Sequence, residues 1–203
     1  QDKEIIHFNA IISKAKASKN NLKISKQFEV KIDEEILMNP HFIKNYVSKK
    51  LDIVVQDKKN NLYLISSKGN VIWKKKIGQP ILGKVSQIDL YKNGRLQLVF
   101  NTKNKIFVLD KNGKEVKPFP KSFNDDITQP ISIFDYDKSK NYRILVTQGK
   151  ELLLYDKIGK KVNGFKYSKS NREITSSPKH FRILNKDFIV FKTGKKLKIL
   201  NRR

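Results

Sequence analysis

A regular period of about 45 residues constrains this chain more than any other feature of its sequence. The turn glycines Gly69, Gly113 and Gly159 lie 44 and 46 residues apart. Two apolar positions keep this spacing through four copies, namely Ile53, Leu98, Ile144 and Ile189 at the first and Leu62, Ile106, Leu152 and Leu197 at the second. Unrelated loops would not preserve the spacing of strands and turns together, so the period indicates four structural repeats.

Each repeat has the pattern of consecutive antiparallel hairpins. In the first repeat, the apolar runs 51–55, 62–65 and 71–73 are separated by turns of Asp, Asn, Lys, Ser and Gly. Short apolar or alternating runs between such turns are typical of strands, and glycine supplies the positive φ that a tight hairpin needs. No stripe with the helical period competes with them, so the repeats predict an all-β chain.

The repeat length predicts a β-propeller-type array. A four-stranded sheet of this size cannot bury both of its faces alone, so the copies must pack on one another around an axis. We expect about four four-stranded antiparallel blades, either as a closed ring or as part of a larger one. The predicted repeats within 40–203 cover about residues 40–80, 81–125, 126–171 and 172–203.

Residues 1–39 precede the repeats, and we expect them to supply N-terminal strands that close or cap the propeller. Residues 26–32 stand 45 residues before the segment that ends at Ile77, and Phe28 aligns with Trp73. This spacing predicts an outer strand over 26–32. The fourth repeat lacks an equivalent strand, so the first and last strands could pair and close a ring of four blades.

The net charge of +25 opens a second class of function, because clustered cations bind phosphate backbones and other polyanions. Of the 44 basic residues, however, 38 are lysines and only six are arginines. Arginine reads phosphates and bases with paired hydrogen bonds, whereas lysine is also the usual solubilising residue of exposed strands. The composition therefore favours a solvated lysine-rich surface over a nucleic-acid site.

Several classes of protein are disfavoured by composition. The chain has no cysteine, which removes disulfide frameworks, cysteine-ligated zinc and thiol catalysis. No apolar run approaches the roughly 18 to 20 residues of a membrane span. With 12 Phe and 7 Tyr, the chain also has the aromatic residues that a disordered segment lacks, so we expect a packed core.

The segment Leu62–Trp73 resembles the repeat of quinoprotein-like (PQQ-like) propellers, whose blades carry Leu-Tyr-Ala-Leu-Asp, then Thr-Gly-Lys, then a hydrophobic residue and Trp. Residues 106–116 and 152–162 are similar to further copies without the Trp. The longer run from Ile53 to Asp137 resembles the C-terminal propeller of large, poorly characterised Bacteroidota proteins. Propellers host many unrelated activities, so this resemblance is specific for fold and weak for function.

The resemblance implies a scaffold and not an enzyme. Quinoprotein-like dehydrogenases have eight blades, a Trp motif in each blade, and a cofactor held by acids, Arg and calcium. This chain has one Trp, four predicted blades and no vicinal cysteine pair, so we expect no cofactor. Non-catalytic relatives, such as outer-membrane assembly lipoproteins, bind protein partners. The resemblance thus implies a location in the cell envelope or periplasm, with the cytoplasm as the open alternative.

The candidate metal ligands are isolated. His7, His41 and His180 are too far apart in sequence for a local metal motif, and each is interpreted as a turn or core residue. The segment 135–141, Asp-Tyr-Asp-Lys-Ser-Lys-Asn, has part of the oxygen spacing of a calcium loop. It lacks the central glycine and the closing Glu, so we interpret it as a capped hairpin turn.

No residue is assigned a catalytic, cofactor-binding or metal-binding role, and the partner-binding residues stay unassigned. Adjacent residues of a strand point to opposite faces, so neighbouring acids do not form a convergent acid–base pair. The adjacent pairs, interpreted as loop charge or turn residues, are Glu34–Glu35, Asp125–Asp126, Ser66–Ser67 and Ser176–Ser177. Trp73 is predicted to pack between blades.

Three functions remain in order of preference. The first is a non-enzymatic propeller module that serves as a protein-interaction scaffold, as part of a larger envelope or exported protein. The second is a cationic module that binds nucleic acid or anionic glycan through its lysines, which would show steep salt dependence. The third is a propeller hydrolase or quinone enzyme, which requires convergent carboxylates or a bound metal at the axis.

Overall fold

The computed structural model of the protein describes residues 27–167 and 169–202. These residues form fourteen strands and no helix, gathered into four antiparallel sheets. Each strand pairs with its neighbours in sequence, so every sheet is a meander, and we call the sheets blades 1 to 4 in chain order. In this part of the chain there is accordingly no helix with the length and hydrophobicity of a membrane span.

Blades 1 and 2 are four-stranded. Blade 1 consists of β1 (His41–Lys44), β2 (Leu51–Gln56), β3 (Asn61–Ile65) and β4 (Val71–Lys76). Blade 2 consists of β5 (Ser86–Ile88), β6 (Gln97–Asn101), β7 (Lys105–Leu109) and β8 (Lys121–Ser122).

Blades 3 and 4 are three-stranded. Blade 3 consists of β9 (Ser132–Phe134), β10 (Arg143–Gln148) and β11 (Glu151–Asp156). Blade 4 consists of β12 (Lys179–Ile183), β13 (Lys186–Thr193) and β14 (Lys196–Arg202). β11 and β14 therefore stand at the edges of their sheets, where blades 1 and 2 have a further strand.

The predicted outer segments of blades 2 and 3 are present as short pairings. The Val116 N–H donates to the Val108 carbonyl at 2.9 Å, and the Val162 N–H donates to the Leu154 carbonyl at 2.8 Å. No described residue pairs with β14 in this way, and no described strand of blade 4 pairs with blade 1. The structure confirms the predicted all-β array of about four antiparallel blades, and over residues 27–167 and 169–202 the array is open.

The blades are held together by apolar clusters between them. In β6, Leu98 and Phe100 lie in the cluster shared with blade 1, whereas Val99 lies in the cluster shared with blade 3. In β10, Ile144 faces blade 2 and Leu145 faces blade 4. Because successive residues of a strand point to opposite faces, a blade between two others buries both faces. This explains why its strands are continuous apolar runs, with about 1.5 to 3 kcal/mol gained per large side chain buried.

A Trp on one blade covers a glycine turn on the next. A Cβ placed on Gly113, which has φ +77°, would lie 3.0 Å from the Trp73 ring. The indole N–H of Trp73 also donates to the Lys111 carbonyl at 2.9 Å. Only glycine combines this positive φ with so close an approach of the ring. The prediction that Trp73 packs between blades is confirmed.

The same contact recurs along the array. Phe28 lies against Gly69, where an added Cβ would be 2.9 Å from the ring, and Phe119 lies 3.5 Å from the corresponding position of Gly159. Phe28 and Trp73 therefore have equivalent places, as their spacing predicted. Phe119 follows Trp73 by 46 residues and is a third member that the sequence pattern did not reveal.

Residues 27–32 lie on the outward face of blade 1, which is turned away from blade 2. The cluster on this face consists of Val30, Ile32, Ile53, Val55, Tyr63 and Ile65. Residues 27–32 form no strand, in contrast to the predicted outer strand over 26–32. The outer strand of a blade forms by pairing with the third strand of the same sheet. No described strand pairs with residues 27–32. Residues 1–26, which the expected closing role of 1–39 also involves, lie outside the described residues.

Candidate interaction surface

The buried carboxylate of Asp57 holds a turn between β2 and β3. It accepts hydrogen bonds from the Asn61 backbone N–H at 2.8 Å, the Asn61 side-chain amide at 2.7 Å and the Tyr63 hydroxyl at 3.0 Å. Burial alone would raise the pKa of Asp57, but these donors outweigh it and hold the pKa below its ordinary value. The ionised carboxylate is therefore stabilised by three donors at this turn.

A second buried carboxylate, Asp89, has the same role in blade 2. It accepts from the backbone N–H groups of Asn93 at 3.0 Å and Gly94 at 2.9 Å, and from the Lys140 ammonium at 2.6 Å. Burial alone would raise the pKa of Asp89. The Lys140 ammonium and the backbone donors have the larger, opposite effect, so the pKa lies below its ordinary value. Both carboxylates thus have a structural role in holding a turn.

The histidines have structural surroundings. The His41 ring accepts a hydrogen bond from the Val85 N–H at 3.1 Å, and burial, followed by the charge of Lys84, lowers the pKa of His41. The His180 ring lies 2.9 Å from the Asp187 carboxylate and stacks edge-on with Tyr136. These contacts support the interpretation of both as turn or core residues. His7 lies outside the described residues.

The remaining candidates belong to turns and surface ion pairs. Glu34 and Glu35 pair with Lys59 and Lys58, and Asp126 pairs with Lys103 at 3.0 Å. Asp135 accepts two 3.1 Å hydrogen bonds from the Lys140 N–H, as expected for a capped turn. The hydroxyls of Ser66 and Ser176 accept from backbone N–H groups. Within residues 27–167 and 169–202, no three His, Asp or Glu side chains converge into a metal-binding group.

The outward face of blade 4 is the feature that these structural roles leave unexplained. Strand pairing places Val190 opposite Ile199 and Phe181 opposite Phe188, so these side chains share one face of the sheet. The apolar members of this face are Phe181, Ile183, Phe188, Val190, Leu197 and Ile199. We call these six residues the free face, because no described segment packs on them as residues 27–32 do on blade 1.

Repeat-equivalent positions show what the free face lacks. Leu62, Ile106 and Leu152 are at most 1% exposed, whereas Leu197, the fourth member of the series, is 64% exposed. The residues two positions further along each strand, on the same face, show the same contrast. Their exposed fractions are 4%, 0%, 7% and 56% at Leu64, Val108, Leu154 and Ile199. The first three of each series are covered by the following blade. The exposure of the fourth is therefore a property of its surroundings and not of its residue type.

A groove of about 710 Å³ runs beside the edge of β14. Residues 162–167 of blade 3 form one wall, and residues 199–201 form the other. Phe165 in this wall follows Phe119 by 46 residues, so it continues the series of aromatic side chains that cover turn glycines. Here it lines an open groove instead. Leu154, Ile189 and Leu200 of the junction between blades 3 and 4 also line the groove, and Ile199 is the free-face residue that borders it.

The free face is surrounded by positive charge. Residues 172–202 contain nine Lys and Arg but only two Asp and Glu. Lys179, Lys186 and Lys192 lie on the same side of the sheet as the apolar residues. One of the two acids, Asp187, is buried and contacts His180. The surface is therefore apolar at its centre and cationic around it.

No family model matches the sequence, and no curated protein matches it. A solved structure of BBS1N in complex with ARL6DN is similar over 75% of this chain and 50% of the matched chain, with 13% identity and a TM-score of 0.51. BamB from Moraxella catarrhalis matches over 74% and 42%, with 15% identity and a TM-score of 0.43. A protein of unknown function from Bacteroides caccae matches over 82% and 70%, with 13% identity and a TM-score of 0.38.

These similarities concern the fold. At 13% identity, the match to BBS1N shows a shared β-propeller-like architecture and no more. This chain spans half or less of the length of the first two structures. The sequence does not predict the free face, because Leu197 has the same residue type and spacing as its buried equivalent Leu152.

Proposed function

We propose that this protein is a non-enzymatic β-propeller module that acts as a protein-interaction scaffold. The free face carries the proposal, since its repeat-equivalent positions are buried wherever a blade lies against them. Contiguous exposed apolar surface with a polar rim is typical of protein–protein contact sites. The hydrogen bonds of Asp57 and Asp89 give these two buried carboxylates a structural role.

The finer parts of the proposal concern repeat class and location. We assign the blades to the quinoprotein-like class without its cofactor, on the basis of the repeat segment Leu62–Trp73. The resemblance to Bacteroidota propellers supports a module of a larger envelope or exported protein, in which 1–39 caps the repeats of 40–203. The structure of BBS1N is a complex with ARL6DN, and this supports a protein as the partner.

A cationic module that binds nucleic acid or anionic glycan is the second candidate. The nine basic residues within 172–202 favour it, because their charge attracts any polyanion. The two candidates differ in salt dependence. Binding of a polyanion through lysines falls steeply with salt, whereas an apolar protein contact does not.

Photo-crosslinking in cells of the native source tests the scaffold function. A photoreactive phenylalanine analogue replaces Leu197 in the native full-length polypeptide, and Tyr91 serves as the matched control because it is also exposed, at 60%. We expect position 197 to give a discrete adduct with one protein, which persists through a high-salt wash before irradiation.

The control position should give no such adduct. Equal labelling at both positions, no protein adduct at position 197, or an adduct that is removed by nuclease or by salt would contradict the scaffold function. The last of these results would favour the cationic module.

A further inference from the structure

We propose that the cavity between the turns of blades 1 and 2 binds an apolar side chain of an acidic segment of another protein. Residues 43–47 of blade 1 and Lys111 and Asn112 of blade 2 contribute to its lining. The site lies apart from the free face, and it rests on the scaffold function only for the choice of a protein as ligand. The partner supplies one large apolar side chain to the cavity and Asp or Glu to the lysines around it.

The two ends of blades 1 to 3 differ in charge. The turns after the first and third strands lie at one end, which we call the hairpin end, and contain eleven Lys and Arg but five Asp. They comprise residues 45–50, 66–70, 89–96, 110–114, 135–142 and 156–160. The connections at the opposite end contain seven Lys and Arg and seven Asp and Glu. They comprise residues 33–40, 57–60, 77–85, 102–104, 123–131, 149–150 and 169–178. The excess positive charge is therefore at the hairpin end.

Most carboxylates of the hairpin end accept hydrogen bonds from their own turns. Asp110 accepts from the backbone N–H groups of Asn112 at 2.8 Å and Lys114 at 2.9 Å. Three further carboxylates accept from backbone N–H groups in the same way, namely Asp89, Asp135 and Asp156. Because these carboxylates face their turns, the lysine side chains supply most of the charge that a ligand meets at this end.

The cavity at the hairpin end has an apolar interior. Its volume is about 260 Å³, and its buried lining residues include Ile43, Leu64 and Leu98 of the core between blades 1 and 2. Pockets for small molecules are typically about 300 to 1,000 Å³. A smaller apolar pocket suits a single large side chain, which is how anchor residues of protein contacts bind.

The rim of the cavity carries two ammonium groups and one carboxylate. Lys44 and Lys111 are exposed, and the Lys111 ammonium lies 5.9 Å from the centre of the Tyr46 ring, across the junction between the blades. The carboxylate of Asp52 is buried and accepts a hydrogen bond from the Asn45 amide at 2.8 Å. The accessible charge at the rim is thus positive, which complements Asp or Glu beside an apolar side chain.

The lining distinguishes among ligands. Sites for single-stranded nucleic acid stack bases on aromatic rings and add contacts from Arg. The buried interior here is aliphatic, and the described residues that line the cavity include no Arg. A second copy of this chain carries the same net charge of +25 and is repelled. An acidic protein segment fits both the interior and the rim.

Fluorescence anisotropy with synthetic peptides tests the inference on the purified full chain. The probe is Glu-Asp-Glu-Phe-Glu-Asp-Glu, and two matched peptides replace its Phe by Ser or its acids by Lys. We expect the probe to bind about tenfold or more tightly than the Ser peptide, because burial of the Phe ring stabilises the complex. The Lys peptide should not bind. Amide chemical shifts should change at residues 44–47 and 111–112.

Two charge reversals locate the site. Lys111→Glu should weaken binding of the probe by about fivefold, because it replaces an ammonium of the rim by a carboxylate. Lys157→Glu is the matched control, since Lys157 has the equivalent place in the next repeat and the net charge changes equally. We expect it to weaken binding by less than about twofold, because solvent ions screen the more distant charge.

Four results would overturn the inference. These are no binding of the probe, equal binding of the Phe and Ser peptides, equal losses in the two variants, and shift changes away from the cavity. An oligothymidylate that binds more tightly than the probe and shifts the same amides would assign the cavity to nucleic acid instead.

The two proposals fail in different ways. Tyr91, the crosslinking control, does not line the cavity, so the two tests are independent. An in-cell adduct at position 197 together with no peptide binding contradicts the peptide site and leaves the scaffold function standing. Peptide binding without a protein adduct at position 197 contradicts the scaffold function proposed for the free face and leaves the peptide site standing.

Discussion

The outward faces of blades 1 and 4 contain similar apolar side chains in different surroundings. On blade 1, Tyr63 and Ile65 are buried, and Val30 and Ile32 of the preceding segment pack against them. On blade 4, Ile183, Leu197 and Ile199 of the free face are each more than half exposed. One end of the open array is thus covered by a short stretch of chain, and the other end has no equivalent cover among the described residues.

This difference shows that the burial of an apolar side chain in a repeat array depends on the neighbouring blade or segment, and not on its position within the repeat. In stacked repeats each unit contacts only its neighbours, so a terminal unit needs a polar outer face or a cap. On blade 1, Val30 and Ile32 of the preceding segment pack against the outward apolar cluster. Blade 4 instead has Lys179, Lys186 and Lys192 among its apolar residues, and these charges keep the face hydrated.

The largest expected contrast between the two faces is in stability. Ile65→Ala should lower the free energy of unfolding by about 2 to 5 kcal/mol, because the side chain is buried and its removal leaves a cavity. Ile199→Ala should change it by no more than about 0.5 kcal/mol, since that side chain is mostly in solvent. Urea denaturation of the two variants measures both. Similar losses would mean that the free face is covered within this chain.

A smaller contrast concerns the aromatic cover of the blade 1 turn. Gly69→Ala and Gly78→Ala each place a Cβ at positive φ, at a cost of about 1 to 2 kcal/mol. At Gly69 the new Cβ also meets the Phe28 ring, whereas nothing lies within 4 Å at Gly78. We expect Gly69→Ala to be the more destabilising by about 1 kcal/mol, as measured by thermal unfolding. Equal losses of stability in the two variants would show that the Phe28 ring does not pack against Gly69.

The smallest expected contrast is in acid sensitivity. The folded-state pKa of Asp57 lies below its unfolded value, so the unfolded state binds more protons as the pH falls through this interval. Stability from Asp57 is present above about pH 4 and is lost as the pH falls toward the folded-state pKa. The equivalent positions in the other blades are Thr102, Gln148 and Thr193, which do not titrate.

Urea midpoints between neutral and acidic pH measure this effect. The wild type should lose stability more steeply below pH 4 than Asp57→Asn does, and hydrogen exchange should accelerate in blade 1 before blade 4. Identical pH profiles for the two proteins would contradict the role of the Asp57 carboxylate.

Much of the fold was predictable because it is repeated. The period located the paired strands of each blade, and the place of Trp73 between blades followed from its position beside an outer strand. Residues 27–32 matched the repeat by spacing but form no strand, since no third strand is paired beside them. The roles of Asp57 and Asp89 were not predictable, because a turn aspartate and a surface aspartate look alike until the donors around it are known.

The sequence by itself determined that short alternating and apolar segments recur every 45 or so residues, and hence that antiparallel blades form. Local turn chemistry and strand alternation suffice for this. Only the tertiary structure decided which apolar faces are covered. Leu152 and Leu197 are the same residue in the same place in the repeat, and one is buried while the other is exposed. Burial depends on what lies across the junction, which no single repeat encodes.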